Sequence, residues 1–362
     1  MMFITRILQL LAVIEAVTAQ EKIYQGFNSG AFFSSNKPKV RSDFEKEFSV
    51  ARSLHFSPGT FSSVRLYTNV QTGTTNTPIE AFQAAINTNT SMLLGVWCSG
   101  TTTITNELAA LKSAVDKFGT KFTDLVMGIS VGSEDMYRLS ESGIANKAGI
   151  GAGPDTIVNF IREVRTAIQG TGLASKPVGH VDTWSAWANS SNDAVIAEVD
   201  FLGIDLYPYY EKDQDNRIEN AEAIFEDLYN RTLSAAGNKP VWITETGWPT
   251  SGPTSGNATA TPENAKTYWD IIACKYLGRT NVWWYNLLDT NPEITEKFAV
   301  SKDVTAETTY NLTCPAGSGA PASVNTDLSK GVSSDKKDGA PQMVGSIGFV
   351  GLVAILSAVM ML

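Results

Sequence analysis

The chain has 362 residues, of which 43% are hydrophobic and 18% charged, and it carries a net charge of −9 with a pI near 4.9. That length allows one large domain with a sizeable core, and the acidity argues against nucleic acid or an anionic membrane surface as a partner. The two histidines and three cysteines show no ligand spacing, so neither a catalytic metal nor a cofactor is expected.

At the start of the chain, Arg6 precedes an apolar run from Ile7 to Ile14, and Val17-Thr18-Ala19 supplies small residues for cleavage. Residues 1–19 therefore read as a signal peptide. Eight strand-like segments follow, at Ile23–Asn28, Ser63–Tyr67, Ser91–Trp97, Leu125–Val131, Pro177–Asp182, Phe201–Tyr207, Pro240–Thr244 and Asn281–Asn286. Helical patterns lie between most of them. Ser42–Leu54 opens with Ser and Asp in capping positions. Thr105–Phe118 carries Leu108, Leu111, Val115 and Phe118 on one stripe, and Pro154–Ile168 does the same with Ile157, Ile161, Val164 and Ile168. Thr261-Pro262 caps the last long helix. After Asp182 only Asp193–Val199 is left for a helix. Alternating strands and helices imply parallel pairing, and eight units close into an α/β (β/α)8 barrel. The alternative is an open doubly wound sheet, which would carry a Gly-rich phosphate loop that Gly26 to Gly30 does not form.

The active site of such a barrel lies at the C-terminal ends of its strands. Those ends read Asn28, Tyr67, Trp97, Glu134, Asp182, Tyr207, Glu245 and Asn286. The run Val241-Trp242-Ile243-Thr244 ends abruptly in Glu245, and Leu125 to Gly132 leads through Ser133 into Glu134. Taken singly, each acid fits an ordinary ion pair at a strand end. Together they are the two carboxyl groups that glycoside hydrolysis needs, one protonated and one ionised. Glu45, Glu47, Glu107, Glu163, Glu222 and Glu226 read as solvated helix faces. Aromatic rings stack on sugar faces, so Trp184, Trp248 and Trp284 join Asn28, Tyr67, Asp182 and Tyr207 as candidate substrate-binding residues. Asp205 and Asp289 are further carboxylates near strand ends, and Tyr207 is a candidate donor to Glu245.

Sequons at Asn89, Asn189, Asn230, Asn257 and Asn311 suit an exported chain. Cys98 closes an apolar strand and reads as a buried small hydrophobe, while a Cys274–Cys314 bridge would tether the C-terminal segment to the last long helix. The globular part is expected over residues 20–315, followed by a polar linker over 316–342. Residues 343–362 form an uncharged apolar tail preceded by the polar stretch Ser333 to Gly339. This is the pattern of a glycolipid (GPI) anchor signal, with a tail-anchored helix as the alternative.

The motifs Gln25-Gly-Phe-Asn-Ser-Gly30, Val64-Arg-Leu-Tyr67, Gly128-Ile-Ser-Val-Gly-Ser-Glu134, Gly179-His-Val-Asp-Thr-Trp184, Gly203-Ile-Asp-Leu-Tyr-Pro208 and Trp242-Ile-Thr-Glu-Thr-Gly-Trp-Pro249 resemble glycoside hydrolase family 17. The likeness is to its fungal, GPI-anchored glucan endo-1,3-β-glucosidases and runs from about Ile23 to Cys314. It implies a (β/α)8 barrel and retaining hydrolysis of cell-wall β-1,3-glucan, with Glu134 as proton donor and Glu245 as nucleophile. Many members place Asn directly before the acid, where this chain has Ser133. Such an enzyme would be a secreted monomer held at the outer face of the plasma membrane and in the wall by its lipid anchor. Transglycosylation by the same two residues is the competing enzymatic reading, and a non-catalytic glucan-binding wall protein is the third.

Overall fold

Strands form where short runs of β-branched and large apolar residues can be buried on both faces. The computed structural model describes residues 22–323 and contains eight such strands: β1 Gln25–Ser29, β2 Ser63–Leu66, β3 Ser91–Val96, β4 Val126–Ser133, β5 Val178–Thr183, β6 Leu202–Asp205, β7 Val241–Glu245 and β8 Val282–Trp284. Every neighbouring pair is parallel, and β8 pairs with β1, so the sheet closes on itself. The signal peptide, the anchor region and the apolar tail lie outside the described residues, as does the linker from residue 324 onward.

Side chains alternate across a strand, and the barrel uses that alternation to build two cores. Outward residues such as Val64, Leu94, Ile129, Ile204, Ile243 and Trp284 join the main core beneath the helices. The intervening positions Leu93, Trp242 and Trp283, with Met127, Phe201 and the partly buried Tyr24, form a separate plug in the N-terminal half of the barrel. Phe201 stacks on Trp242 with ring centroids 3.6 Å apart. Gly128 makes room for this plug, since a Cβ there would come within 3.4 Å of both the Trp242 ring and Leu93.

Helices span Thr105–Phe118 and Pro154–Ile168, the ranges read from their apolar stripes. The first helix differs at its start. It runs from Arg41 to Ser53, one residue earlier than the capping pattern suggested, because Val40 takes the N-cap position and the Asp43 carboxylate accepts the Val40 N–H from the third helical position. The short unit after β5 is a helical turn at Trp184–Trp187 followed by Asp193–Glu198. Thr261 caps Pro262–Tyr268 through its hydroxyl, which accepts from the Asn264 N–H.

Residues 316–323, expected in the linker, are bonded to the barrel instead. The Ala322 carbonyl accepts from the Gly59 N–H at 3.1 Å, and the Ser318 carbonyl from Arg279 at 2.8 Å. Cys274 is joined to Cys314, with Cα atoms 5.5 Å apart, while Cys98 is buried and free.

Two acids read as solvated helix faces are buried. Glu47 pairs with the buried Lys39 at 2.6 Å and accepts from Ser29 at the end of β1. Glu107 accepts from Thr68 and from the Asn69 N–H, fastening the loop after β2.

Candidate active site

The C-terminal half of the barrel interior is polar, and Arg65 is at its centre. On β2 it alternates with Val64 and Leu66, so it points inward while they point outward. The residue is fully buried. Its guanidinium donates to Glu245 Oε1 at 2.6 Å, to Asn28 Oδ1 at 3.0 Å and to Ser133 Oγ at 3.0 Å, and lies 3.9 Å from Asp205. A buried cation of this kind must be matched by anions and acceptors, since an unpaired one costs several kcal/mol.

Glu245 ends β7 and is 8% exposed. The register between β6 and β7 slips by one residue at this point, so that Glu245 sits opposite Asp205. Thr244, the residue skipped, turns its hydroxyl to Asp205 at 2.7 Å. Besides Arg65, the Tyr67 hydroxyl donates to Glu245 Oε1 at 2.5 Å and the Tyr207 hydroxyl to Oε2 at 2.7 Å. Three donors converging on one carboxylate fix its rotamer.

Glu134 is placed by a distortion of β4. Gly132 has φ of +89°, the pairing with β5 shifts between Ser130 and Ser133, and Glu134 itself has φ of +56°. A non-glycine residue in this left-handed region carries a cost of about 1–3 kcal/mol that the surroundings must sustain. The backbone N–H of Glu134 donates to the Val181 carbonyl at 2.9 Å, and its side chain is 27% exposed, with Arg138 3.8 Å away. Burial first, and the negative charge of Glu245 second, push the Glu134 carboxyl up to about 7, against the opposing pull of Arg138 and Arg65. One carboxyl is thus held by cationic and phenolic donors, while the other is biased toward its acid form. This is the division of labour that acid-assisted nucleophilic displacement requires.

The other candidates divide into two groups. Tyr67 and Tyr207 stand beside Glu245, and Trp184 reaches the surface half-buried, its indole N–H donated to Glu211 at 2.7 Å. Asn28, Asp182, Trp248 and Trp284 were expected to contact substrate, and they are buried and committed elsewhere. Asn28 donates to the Thr244 and Trp283 carbonyls and closes the seam between β1, β7 and β8. Asp182 accepts from the N–H groups of Met136, Tyr137 and Thr183. Trp284 points outward to the helices, since Trp283 takes the inward position, and packs on Tyr268 and Trp269. Trp248 lies between Tyr209 and Tyr268 with its N–H on the Thr259 carbonyl. Asp289 accepts from the N–H groups of Phe298 and Ala299 and organises a loop.

Residues 26–302 match the family model described as the BtgE/BtgC glycoside hydrolase domain. The chain belongs to this family. This glycoside hydrolase is 54% identical over 283 residues to a protein of Aspergillus oryzae named probable glucan endo-1,3-β-glucosidase eglC, covering 78% of the chain and 61% of that relative. It is 48% identical over 311 residues to the protein of the same name in Aspergillus fumigatus, covering 85% and 69%. The hydrolase thus spans between three fifths and seven tenths of the length of these two relatives. Its fold is similar to that of a family 17 β-1,3-glucanosyltransferase from Rhizomucor miehei, with a TM-score of 0.63 at 23% identity over 80% of this chain and 98% of that one.

Two features of the hydrolase site were not singled out from sequence. Arg65 was visible as a lone cation in an apolar strand, sharing its face with Tyr67, and that alternation was signal enough. The aromatic wall beside Glu245 was less accessible. Tyr207, Tyr210, Tyr285 and Phe298 meet there with ring centroids 5.3–6.5 Å apart, edge-on except for the tilted Tyr210–Phe298 pair, and they come from the segments after β6 and after β8. Among the described residues, no His, Cys, Asp or Glu cluster is arranged to hold a metal ion.

Proposed function

We propose that this glycoside hydrolase cleaves β-1,3-glucan internally, with retention of anomeric configuration. Glu245 attacks the anomeric carbon as the glycosidic C–O bond breaks, and the Glu134 proton passes to the departing oxygen. Glu134, now a carboxylate, takes a proton from water, and that water's oxygen displaces Glu245 from the sugar. The observation that carries this reading is the pairing of a triply donated Glu245 with a Glu134 biased toward protonation. Retention calls for carboxyl groups about 5–5.5 Å apart. The names borne by the Aspergillus relatives support the choice of substrate. A glucan-binding protein without catalysis would have no use for so costly a polar interior.

The test is Glu245→Gln with laminarin-type oligosaccharides as substrate. Turnover should fall by about 10⁴-fold or more while the variant stays folded. In the native enzyme, NMR should show the β-anomer as first product. Near-normal turnover by the variant, or an α-product, would overturn the assignment. Products longer than the input would redirect the second step from water to a sugar acceptor.

We propose also that the protein works outside the cell as a lipid-anchored monomer, at the plasma membrane and in the wall. A bridge between Cys274 and Cys314 fits an oxidising compartment, and the asparagines of all five sequons are exposed. Release from membranes by a phosphatidylinositol-specific phospholipase would support the anchor. Retention after treatment would count against it.

A further inference from the structure

His180 has no part in the chemistry proposed above, yet it is fully buried against the end of β4 that leads into Glu134. One ring nitrogen, Nδ1, lies 2.5 Å from the Val131 carbonyl oxygen, and the other, Nε2, lies 3.0 Å from Asp182 Oδ2. A carbonyl oxygen has no hydrogen to give. A carboxylate has none to give either, and Asp182 already accepts from Met136 at Oδ2 and from Tyr137 and Thr183 at Oδ1. Both ring nitrogens therefore face acceptors, and only the doubly protonated imidazolium can satisfy both.

The groups tied by this ring surround the acid. Val131 leads into the distorted Gly132–Glu134 stretch of β4, and Asp182 holds the first turn of the helix Asp135–Arg138, which Glu134 opens. Asp135 approaches from the other side, accepting from Ser99 and from the Ser133 N–H. Gly132 is wedged between them. A Cβ there would lie 2.3 Å from Asp135 Oδ2 and 2.9 Å from the His180 ring. Trp187 meets the imidazole edge-on, with ring centroids 5.6 Å apart.

We propose that His180, held between the Val131 carbonyl and Asp182, is a positioning residue whose two hydrogen bonds hold the Glu134 backbone in its left-handed conformation and so aim the acid. This rests on the reading of Glu134 as proton donor. The charged groups facing the ring are Asp182 and Asp135. Burial by itself would drive the imidazolium to lose its proton, but the hydrogen bond to Asp182, the charges of both aspartates and the Val131 carbonyl outweigh it, and the group is raised above 6.5. The stabilisation it gives is therefore complete below about 6.5 and is lost as pH climbs through the raised value. On losing its proton the ring must give up one partner, and the Glu134 segment loses a support.

The chain has two histidines, so His55→Gln leaves His180 as the sole imidazole signal in a ¹⁵N NMR spectrum. At about pH 6.5, where a free histidine is half neutral, both ring nitrogens should be protonated. A neutral tautomer at that pH would overturn the proposal without reference to activity. Loss of His180 by substitution to Gln should lower kcat by about 10- to 100-fold with KM within about 3-fold. The high-pH limb of kcat should also change from two ionisations to one. A folded variant with native kcat and limb would overturn it. Should Glu134 not be the acid, Glu134→Gln would turn over normally while the NMR result stood, so the two failures are separable. If the His180 variant does not fold, the NMR measurement decides alone.

Discussion

The two halves of the barrel interior have the same strands around them and opposite chemistry within. The N-terminal half is filled by Leu93, Met127, Phe201, Trp242 and Trp283, an apolar plug that excludes water. The C-terminal half holds Arg65, Glu245, Asp205, Asn28, Ser133 and Thr244 in one hydrogen-bonded set. Contacts in the plug are nondirectional and tolerate some exchange of shape. The polar half is held by direction and charge, and its members fail together. Asp205 illustrates the cost. It is fully buried, its Oδ2 accepts no hydrogen bond from any described residue, and burial, then the charge of Glu245, raises its pKa well above the usual carboxylate range. Such an arrangement lowers stability compared with an apolar filling. Such costly polar sets concentrate at functional sites, which makes this half of the barrel the candidate site.

The contrast is sharpened most by removing its central cation. Arg65→Leu should destabilise the fold by about 3–5 kcal/mol, since it strands Glu245 and Asp205 without their counter-ion, and should also abolish turnover. Adding Asp205→Asn should restore part of the stability and none of the activity. Thermal unfolding with parallel assays would show this, and the contrast fails if Arg65→Leu is as stable as the native protein. Next comes Trp242→Ala in the plug. It should cost about 3 kcal/mol or more through the cavity it leaves, while kcat at a temperature where the variant is folded should stay within about 3-fold. Equal loss of activity in the two halves would erase the distinction.

Tyr207→Phe removes one of the three donors to Glu245. A hydrogen bond to a charged group is worth about 1.5–3 kcal/mol, so kcat/KM should fall by about 10- to 100-fold, and the melting temperature should drop by several degrees. The smallest effect is one of pH alone. With Glu134 in the proposed role of proton donor, kcat/KM should decline above about 7. The folded state also keeps a proton on Glu134 that the unfolded chain releases near 4.5, so stability should fall as pH rises from about 4.5 to about 7. Substituting Glu134 by Gln should reduce that slope, Asp205 and Glu107 supplying what remains, and a urea titration at several pH values would detect the change.

The order of elements was legible in the sequence because each strand is a short buried apolar run and each helix a stripe of fixed period. Thr105–Phe118 and Pro154–Ile168 could be bounded to the residue. The positions of Glu134 and Glu245 at strand ends were legible for the same reason. What alternation could have settled, but a list of strand-end aromatics did not, was that Trp284 faces the helices while Trp283 faces the barrel. Glu107 was misread because its helix is amphipathic and polar at that position, and nothing local reveals that Thr68 and Asn69 come to meet it.

By itself the sequence determined the barrel, the count of its units and the two acids at its rim, since these depend on patterns within about ten neighbouring residues. Only the tertiary structure decided which polar groups serve substrate and which serve each other. Arg65 bonds to residues from three other strands, up to 180 residues away along the chain, and His180 reaches the Val131 carbonyl on β4 across 49 residues. The environment that sets the charge state of each carboxyl comes into being when the barrel closes, because burial and through-space charge act across distances the linear order does not record.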